Sequence, residues 1–229
     1  ITDASDAEVY KYNLDGTYTG VSFDTAASGN GVPSGITQYG GYFWVTNISV
    51  DEVYKYTTNG VYTGISFDTA ASGNDGPTGI TQYGGYFWVV DNINSLVYKY
   101  NLDGTYTGVS FDVSANGNEN PVSITQYGGY FWVTNNANTE VYKYTTDWTY
   151  TGVSFDTGAS GNALPFGVTQ YGGYFWVTDN SDALVYKYAI QTDTYVQGGR
   201  NASTTPSGGT DFLDSIASFG VGTSSPFAL

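Results

Sequence analysis

The chain repeats itself with a period of 44 residues. The stretch ITQYGGYFWVT begins at Ile36 and returns in near-copies at Ile80, Ile124 and Val168. Units that open on Val-Tyr-Lys-Tyr follow the same register without insertion or deletion, and they span residues 9–52, 53–96, 97–140 and 141–184. A fixed period of this length is typical of solenoids and propellers, in which each repeat buries its apolar faces against its neighbours.

Each unit contains four stretches typical of β-strands, here lettered a to d. They read GITQY, YFWVT, VYKY and YTGVSFD in the order a, b, c, d. Two glycines separate strands a and b, which is the sequence of a tight type I′ hairpin, and turn formers such as Asn-Leu-Asp-Gly separate strands c and d. Four short antiparallel strands in every repeat predict an all-β fold, and specifically a β-propeller rather than a solenoid or a sandwich.

Counting the strands predicts five blades of four antiparallel strands. Strands c and d recur a fifth time in Val185–Gly199, and Ser215–Gly220 resembles strand a. We expect Phe227–Leu229 to take the place of strand b, and Ile1 to continue it, because the start of the chain matches Val177–Tyr188. Residues 1–229 then form a single domain, in which 185–229 together with 1–8 make a divergent closing blade shared by the two ends of the chain.

Composition excludes several classes of function. The chain has no Cys and no His, which removes disulfides, thiol catalysis and the commonest zinc ligands. Its 21 acidic and 6 basic residues give a formal net charge of −15, so we expect the surface to repel phosphate backbones and to have no nucleic-acid partner. No apolar run is long enough to span a bilayer, and we expect no membrane insertion.

Two stretches resemble a known class of repeat. FWVTNNANTEVYKY (Phe131–Tyr144) and GNALPFGVTQYGGYFWVTDN (Gly161–Asn180) resemble YVTN propeller repeats, known from microbial surface-layer proteins, and are similar to the wider NHL and lactonase-like propellers. Trp stands where that class usually has Tyr or Phe, and five blades are fewer than its usual six or seven. The resemblance implies an extracellular or cell-surface scaffold or binding module, and it identifies no ligand.

The internal copies differ from one another mainly in two segments. One follows Ser-Gly-Asn before strand a, and the other follows strand b; in a propeller these are the d–a loop and the b–c turn, which lie on the same face. A ligand site tuned blade by blade and free drift of loops both explain the variation. The candidate binding residues of this face are Asp75, Asp91, Asn92, Glu119, Asn135, Asn136, Phe166, Asp179 and Asp182.

The Asp and Asn residues of the b–c turns have two interpretations. Their side-chain oxygens are ligands that Ca²⁺ prefers. The Asp-x-Asp-x-Asp-Gly run of a calcium loop is absent, however, and Asx side chains also cap turns by accepting hydrogen bonds from their own backbone. Turn capping is favoured, so we predict no metal site and no cofactor, with Ca²⁺ as the alternative.

Other candidate residues either break the repeat or recur at the same position in every repeat. Trp148 replaces the Gly found at Gly16 and Gly104 of the c–d turns, and we interpret it as an exposed interaction anchor; a Trp folded back onto the blade is the alternative. The Trp of each strand b is assigned to the core between blades. One Lys in strand c and one Asp at the end of strand d predict either an ion pair or a Lys laid over Tyr. Sequons make Asn47 and Asn201 glycosylation candidates.

Three functions compete. We predict a structural module of a cell envelope, appendage or filament that associates with itself. The alternative is a multivalent lectin-like or protein-binding propeller that uses the variable face for glycans or other surface proteins. A metal-dependent lactonase- or lyase-like enzyme is the least favoured, because no carboxylate pair stands out from the pattern repeated in each blade, and we therefore expect that the chain is not an enzyme.

Overall fold

The computed structural model describes residues 1–190 and the strand Phe227–Ala228, which form five antiparallel sheets arranged as the blades of a propeller. Among the described residues the first blade has three strands and the other four blades have four each, in the order a-b-c-d. The predicted all-β, five-bladed propeller is confirmed. The first blade contains β1 Thr2–Asp3, β2 Glu8–Tyr12 and β3 Tyr18–Asp24; the second β4 Pro33–Tyr39, β5 Tyr42–Asn47, β6 Glu52–Thr57 and β7 Tyr62–Asp68; the third β8 Pro77–Tyr83, β9 Tyr86–Asp91, β10 Leu96–Asn101 and β11 Tyr106–Asp112; the fourth β12 Pro121–Tyr127, β13 Tyr130–Asn135, β14 Glu140–Thr145 and β15 Tyr150–Asp156; the fifth β16 Pro165–Tyr171, β17 Tyr174–Asp179, β18 Leu184–Ala189 and β19 Phe227–Ala228.

The glycine pairs form the predicted hairpins between strands a and b. Gly40 and Gly41 have φ of 62° and 80°, a left-handed conformation that glycine adopts without steric cost. Tyr39 and Tyr42 pair across the turn. The same arrangement recurs in the three later blades, which fixes the register of the inner half of every complete blade.

The core lies between blades and is built from residues of all four strands, including fully buried strand-c tyrosines such as Tyr100. Aromatic residues of strands b and d make contacts across the junctions. The ring of Trp44 lies 6.2 Å from Phe67 of its own blade and 4.7 Å from Phe87 of the next blade. Trp88 repeats this arrangement with Phe111 and Phe131, at 5.9 and 5.0 Å. The assignment of the strand-b Trp to the core between blades is therefore confirmed.

The inner strands of neighbouring blades are almost in contact. A Cβ atom on Gly35 would lie 2.3 Å from the carbonyl oxygen of Thr78, so no larger residue fits there. The Oγ1 of Thr46 accepts a hydrogen bond from the Gly35 N–H and donates one to the same Thr78 carbonyl, at 2.6 and 2.7 Å. A strand-b threonine thus ties its own blade to the next one.

The lysines of strand c lie over aromatic rings. In the four later blades the Nζ atom is 3.7 to 4.1 Å from the ring centroid of the Tyr that opens strand b. The Asp at the end of strand d has another role, because Asp24 and Asp112 accept hydrogen bonds from the backbone of Ala26 and Ser114, at 2.6 and 2.8 Å. These bonds start the short 3₁₀ turns that follow strand d. The Lys-over-Tyr alternative is therefore confirmed.

Trp148 is buried, with 8% of its surface exposed, so the prediction of an exposed anchor is wrong. Its ring lies between Phe111 and Phe131, at centroid distances of 5.2 and 4.6 Å, and is nearly parallel to both. At the preceding junction the equivalent rings, Phe67 and Phe87, stack directly at 6.2 Å. The Trp148 ring lies between the two members of the corresponding pair. The backbone of Trp148 has a φ of 68°, which is unusual for a residue with a side chain.

The N-terminus takes the predicted position and the C-terminal strand does not. Thr2 pairs with Val9 as Thr46 pairs with Val53, so β1 continues as the end of a strand b. Phe227 pairs instead with Val185. The prediction that Phe227–Leu229 forms strand b of the closing blade is wrong, because β19 occupies the outer, strand-d position of the fifth blade. The predicted strands at 194–199 and 215–220 lie outside the described residues.

The described residues contain no helix that is both long and apolar enough to cross a membrane.

Replacing Trp148 with Gly, the residue of the other turns, should lower the free energy of unfolding by about 3 kcal/mol. Loss of a buried large aromatic side chain costs about 3 to 5 kcal/mol, and relief of the left-handed backbone returns about 1 kcal/mol. Equilibrium denaturation in urea measures the difference. Trp148→Asn tolerates the same backbone and also lacks the ring, so it should lose nearly as much; full stability in both variants would show that the buried ring contributes nothing.

Candidate functional site

The d–a loops and the b–c turns form one face of the propeller, which we call the acidic face. Backbone hydrogen bonds join the two kinds of loop: the Ile48 N–H donates to the Val32 carbonyl at 3.4 Å, and the Asn92 N–H donates to the Gly76 carbonyl at 3.0 Å. The Oγ1 of Thr25, at the start of a d–a loop, donates to the Ala7 carbonyl in a b–c turn at 2.8 Å. The two variable segments are therefore one continuous surface, held by backbone contacts rather than by the side chains that vary.

Charge is segregated between the two sides of the propeller. Within the described residues every Asp and Glu lies at the acidic face, except Asp15, Asp103 and Asp147 in the c–d turns of the opposite face. The described lysines all lie in the half of strand c that leads away from the acidic face. Because the negative charges are concentrated on one side, a cationic partner would be attracted mainly to that side.

Like charges stand directly opposite each other at the edge of this face. Glu8 pairs with Asp24, Glu52 with Asp68 and Glu140 with Asp156, across strands c and d. Opposed like charges destabilise an antiparallel pair. The sequence analysis singled out the Asp that closes strand d but not its pairing with a Glu. The signal was available, since a Glu that opens strand c and an Asp that closes strand d must meet in an antiparallel hairpin.

The carboxylate of Glu140 has a further peculiarity. Its Oε2 is buried and has no hydrogen-bond partner among the described residues. A carboxylate oxygen in this state is costly unless a donor or a cation satisfies it.

Three of the predicted binding residues are turn caps. Asp91, Asn135 and Asp179 have at most 2% of their surface exposed. Their Oδ1 atoms accept hydrogen bonds from backbone N–H groups two residues later, at 2.9, 2.8 and 2.7 Å. Burial acts to raise the pKa of Asp179, but hydrogen bonds from Ser181 and the backbone outweigh it, and the pKa lies below its usual value. The turn-capping interpretation of these residues agrees with this geometry.

Asn47 is also a buried cap, which bears on its sequon. It is fully buried, its Oδ1 accepts hydrogen bonds from the Ser49 N–H and Oγ, and its Nδ2 donates to the Gly29 carbonyl at 3.3 Å. The folded chain therefore does not offer this amide nitrogen to a glycan, and the choice of Asn47 as a glycosylation candidate is wrong for the folded protein. Asn201 lies outside the described residues.

The remaining candidates divide into exposed and half-buried residues. Asp75, Glu119 and Asp182 are exposed on the acidic face. Asn92 is half-buried and its Nδ2 donates to the Pro121 carbonyl at 3.0 Å. Asn136 and Phe166 are half-buried, and their contributions to the described hydrogen bonds come from the backbone.

Several carboxylates act on one another at the junction of the second and third blades. Burial and the nearby charges of Asp75, Asp68 and Asp91 raise the pKa of Asp51. Asp51 also has a left-handed backbone, with φ of 55°. No group of three or more acidic side chains within the described residues has the geometry to hold a metal ion. The interaction of these carboxylates is therefore repulsive.

Solved structures of similar fold include enzymes and a protein complex. The chain is 18% identical to a virginiamycin B lyase from Staphylococcus aureus solved with quinupristin, with a TM-score of 0.54 over 81% of this chain and 61% of that one. It is 10% identical to a glutaminyl cyclase from Myxococcus xanthus, with a TM-score of 0.58 over 68% of this chain and 65% of that one. It is 18% identical to a chain of a nidogen–laminin complex, with a TM-score of 0.57 over 82% and 73%.

These likenesses show the fold, and they support the assignment to propeller repeats. The chain spans 61% to 65% of the length of the lyase chains that it matches. No known family profile matches the chain. No curated protein sequence matches it either. The more specific resemblance to YVTN and surface-layer repeats stays a prediction.

The expectation that the chain is not an enzyme is contradicted by these structures. A lyase and a glutaminyl cyclase share the fold, so a propeller of this kind is compatible with catalysis. The absence of His and of an isolated carboxylate pair is too narrow a criterion for this fold. The fold alone does not decide between catalysis and binding.

Asp51→Asn should stabilise the protein at neutral pH by about 0.5 kcal/mol, the scale of a pair of exposed charges. An acid whose pKa is raised by folding binds its proton more tightly in the folded state, so its ionisation destabilises the fold as pH rises through that pKa. Asn removes this charge and tolerates the left-handed backbone. Thermal unfolding of both proteins as a function of pH measures the effect.

The gain from Asp51→Asn should vanish below about pH 3, where Asp51 is itself neutral. Asp103→Asn is the matched control on the opposite face, because hydrogen bonds from Thr105 lower the pKa of Asp103 and its ionised form is favoured by folding. It should lose stability at neutral pH. A gain from Asp51→Asn that persists unchanged at low pH would show that the backbone, not charge repulsion, is the cause.

Proposed function

We propose that the chain is a docking module of an extracellular or cell-surface assembly, and that its acidic face binds a cationic protein surface. The observation that carries this proposal is the row of like-charge pairs Glu8–Asp24, Glu52–Asp68 and Glu140–Asp156 on the same face. Like charges opposed across an antiparallel pair are in general destabilising. A cationic partner that inserts between them turns this cost into binding energy.

The acidic face also has apolar side chains with which a protein partner would make contact. Val50 and Ile93, in two of the b–c turns, have 50% and 66% of their surface exposed. Exposed apolar residues surrounded by charges are typical of protein-binding surfaces, in which the charges steer the partner and the apolar residues hold it. The exposed tyrosines that would suit sugar stacking, such as Tyr39 and Tyr171, lie at the opposite, hairpin face, which favours a protein over a glycan as the partner of the acidic face.

The repetition of the face supports multivalent binding. Similar carboxylate pairs recur in the first, second and fourth blades, so several weak contacts act together on a partner that carries repeated cationic groups. The similarity of the sequence to surface-layer repeats agrees with a scaffold of this kind, and one propeller of similar fold was solved in a nidogen–laminin complex. An extracellular location is part of the proposal.

The test compares two variants that change the net charge equally on opposite faces. Asp75→Asn, Glu119→Gln and Asp182→Asn together neutralise exposed carboxylates of the acidic face. Asp15→Asn, Asp103→Asn and Asp147→Asn together do the same on the opposite face. The probe is fluorescein-labelled dodecalysine, and its binding is followed by fluorescence polarisation at low and physiological salt.

The first triple variant should bind dodecalysine about fivefold more weakly, from roughly 0.3 kcal/mol for each lost charge contact. The second should stay within about twofold of the unmodified protein. Its neutralised charges lie on the opposite face, and salt screens their effect on the bound probe. Equal losses in the two variants would show that the probe responds to net charge alone, and the proposed docking face would be abandoned.

A further inference from the structure

The outer strand of the fifth blade differs from those of the other blades. In the second, third and fourth blades strand d follows strand c after a short turn and has seven residues, as in Tyr150–Asp156. In the fifth blade the outer strand is Phe227–Ala228, two residues long, and 36 residues separate it from β18 and Ile190 in the chain. It pairs only with Leu184 and Val185. The remainder of β18, residues 186–189, has no strand partner on that side among the described residues.

Among the described residues, the packing beside this short strand also differs from that of the other blades. Val53, Val97 and Val141 are fully buried, whereas the equivalent Val185 is half-buried. An apolar cavity of about 90 Å³ adjoins it, lined by Val185 and Trp176 of the fifth blade and by Tyr12, Asn13, Leu14 and Gly16 of the first. At the next junction the equivalent turn packs tightly, since a Cβ on Gly60 would lie 2.3 Å from the Cβ of Phe23. A described cavity thus lies at the seam between the fifth and first blades, beside the short outer strand.

The register shows which sequence this edge is built to receive. In the four other blades the first Val of strand c pairs with the Phe of strand d, as in Val97 with Phe111 and Val141 with Phe155. Val185 with Phe227 repeats this pair. The sequence that matches the edge is thus the C-terminal segment of this same chain.

We infer that the fifth blade also accepts the C-terminal strand Phe227–Ala228 of a second copy of this chain, so that copies join head to tail by strand exchange. The hydrogen bonds and the Val185–Phe227 register are the same whether the strand comes from the same chain or from a neighbour. The 36-residue connection means that the donor strand is not positioned by a tight turn. Each copy has one donor strand and one acceptor edge, so successive exchanges either close into a ring of two or more copies or extend into an open chain.

The charge of the segment explains why a second copy is a suitable partner despite a net charge of −15 on each molecule. Residues 215–229 contain no Asp, Glu, Lys or Arg. The strand that crosses between copies therefore brings no charged side chain to the junction. Exchange competes with the intramolecular contact, so it is favoured where copies are crowded.

The test uses the absence of Cys from the chain. Leu184 and Ala228 are directly paired, so Leu184→Cys in one preparation and Ala228→Cys in another place two thiols within disulfide distance only if strands exchange between chains. The two proteins are mixed at increasing concentration, oxidised, and separated on a non-reducing gel. Glu140→Cys mixed with Ala228→Cys is the matched control, because the equivalent edge of the fourth blade is already covered by its own strand, with Glu140 paired to Asp156.

The expected result is a heterodimer of the first mixture that increases with concentration and exceeds the control by about tenfold at the highest concentration. The chain that lacks residues 227–229 should stay monomeric in sedimentation where the full chain associates. Heterodimer no more abundant than the control, or association of the truncated chain to the same extent, would overturn the proposal.

The strand exchange does not rest on the acidic face. The same cross-linking is therefore repeated with Asp75→Asn, Glu119→Gln and Asp182→Asn present in both chains. Exchange should persist or increase in this background, since the change only reduces repulsion. Loss of dodecalysine binding with retained cross-linking separates the two proposals, and loss of cross-linking in this background would count against exchange at the fifth blade.

Discussion

The contact between the Trp of one blade and the Phe of the next is the interaction on which the rest of the structure depends. A four-stranded sheet with aromatic residues on both faces has no stable existence alone, because each face must be covered. Trp44 covers Phe67 in its own blade and Phe87 in the following one, and Trp88 repeats the arrangement one repeat later. This requirement keeps the strands and the glycine hairpins nearly constant, and it leaves the d–a loops and b–c turns as the parts of the repeat that are free to change.

The acidic face is a consequence of that division. Its backbone is held by bonds that do not depend on the variable side chains, such as those from Thr25 to Ala7 and from Ile48 to Val32. The side chains above it can therefore include unfavourable charges, as the raised pKa of Asp51 indicates. The contacts between blades stabilise the fold, and this stability allows the acidic face to tolerate repulsion between its charges.

The sequence predicts the elements whose cause is local and periodic. The Gly40–Gly41 hairpin, the strand order and the place of Trp44 in the core follow from turn chemistry and from the repeat. Trp148 could not be placed because its burial depends on whether Phe111 and Phe131 separate to admit a third ring, which no local pattern encodes. Phe227 fits both a strand-b and a strand-d pattern, and only its pairing with Val185 distinguishes them. The buried caps Asp91 and Asp179 were singled out with the exposed carboxylates because burial at the end of a strand is not visible in the sequence of a turn.

The charge of the acidic face and the short outer strand of the fifth blade both affect one equilibrium, that between strand pairing within one chain and strand pairing between two chains. Pairing of Val185 with Phe227 contributes equally within one chain and between two, so the choice between them is set by the entropy of the connection and by repulsion between copies. Among the described residues, the repulsion comes mainly from one side of the molecule, because most of their carboxylates lie there. A cationic partner bound to that side weakens the electrostatic repulsion between copies. Salt does the same, because it shortens the range of the repulsion to about 8 Å. Neither changes the strand that joins the copies. Binding at the face and joining of copies are then thermodynamically linked, even though they use separate residues.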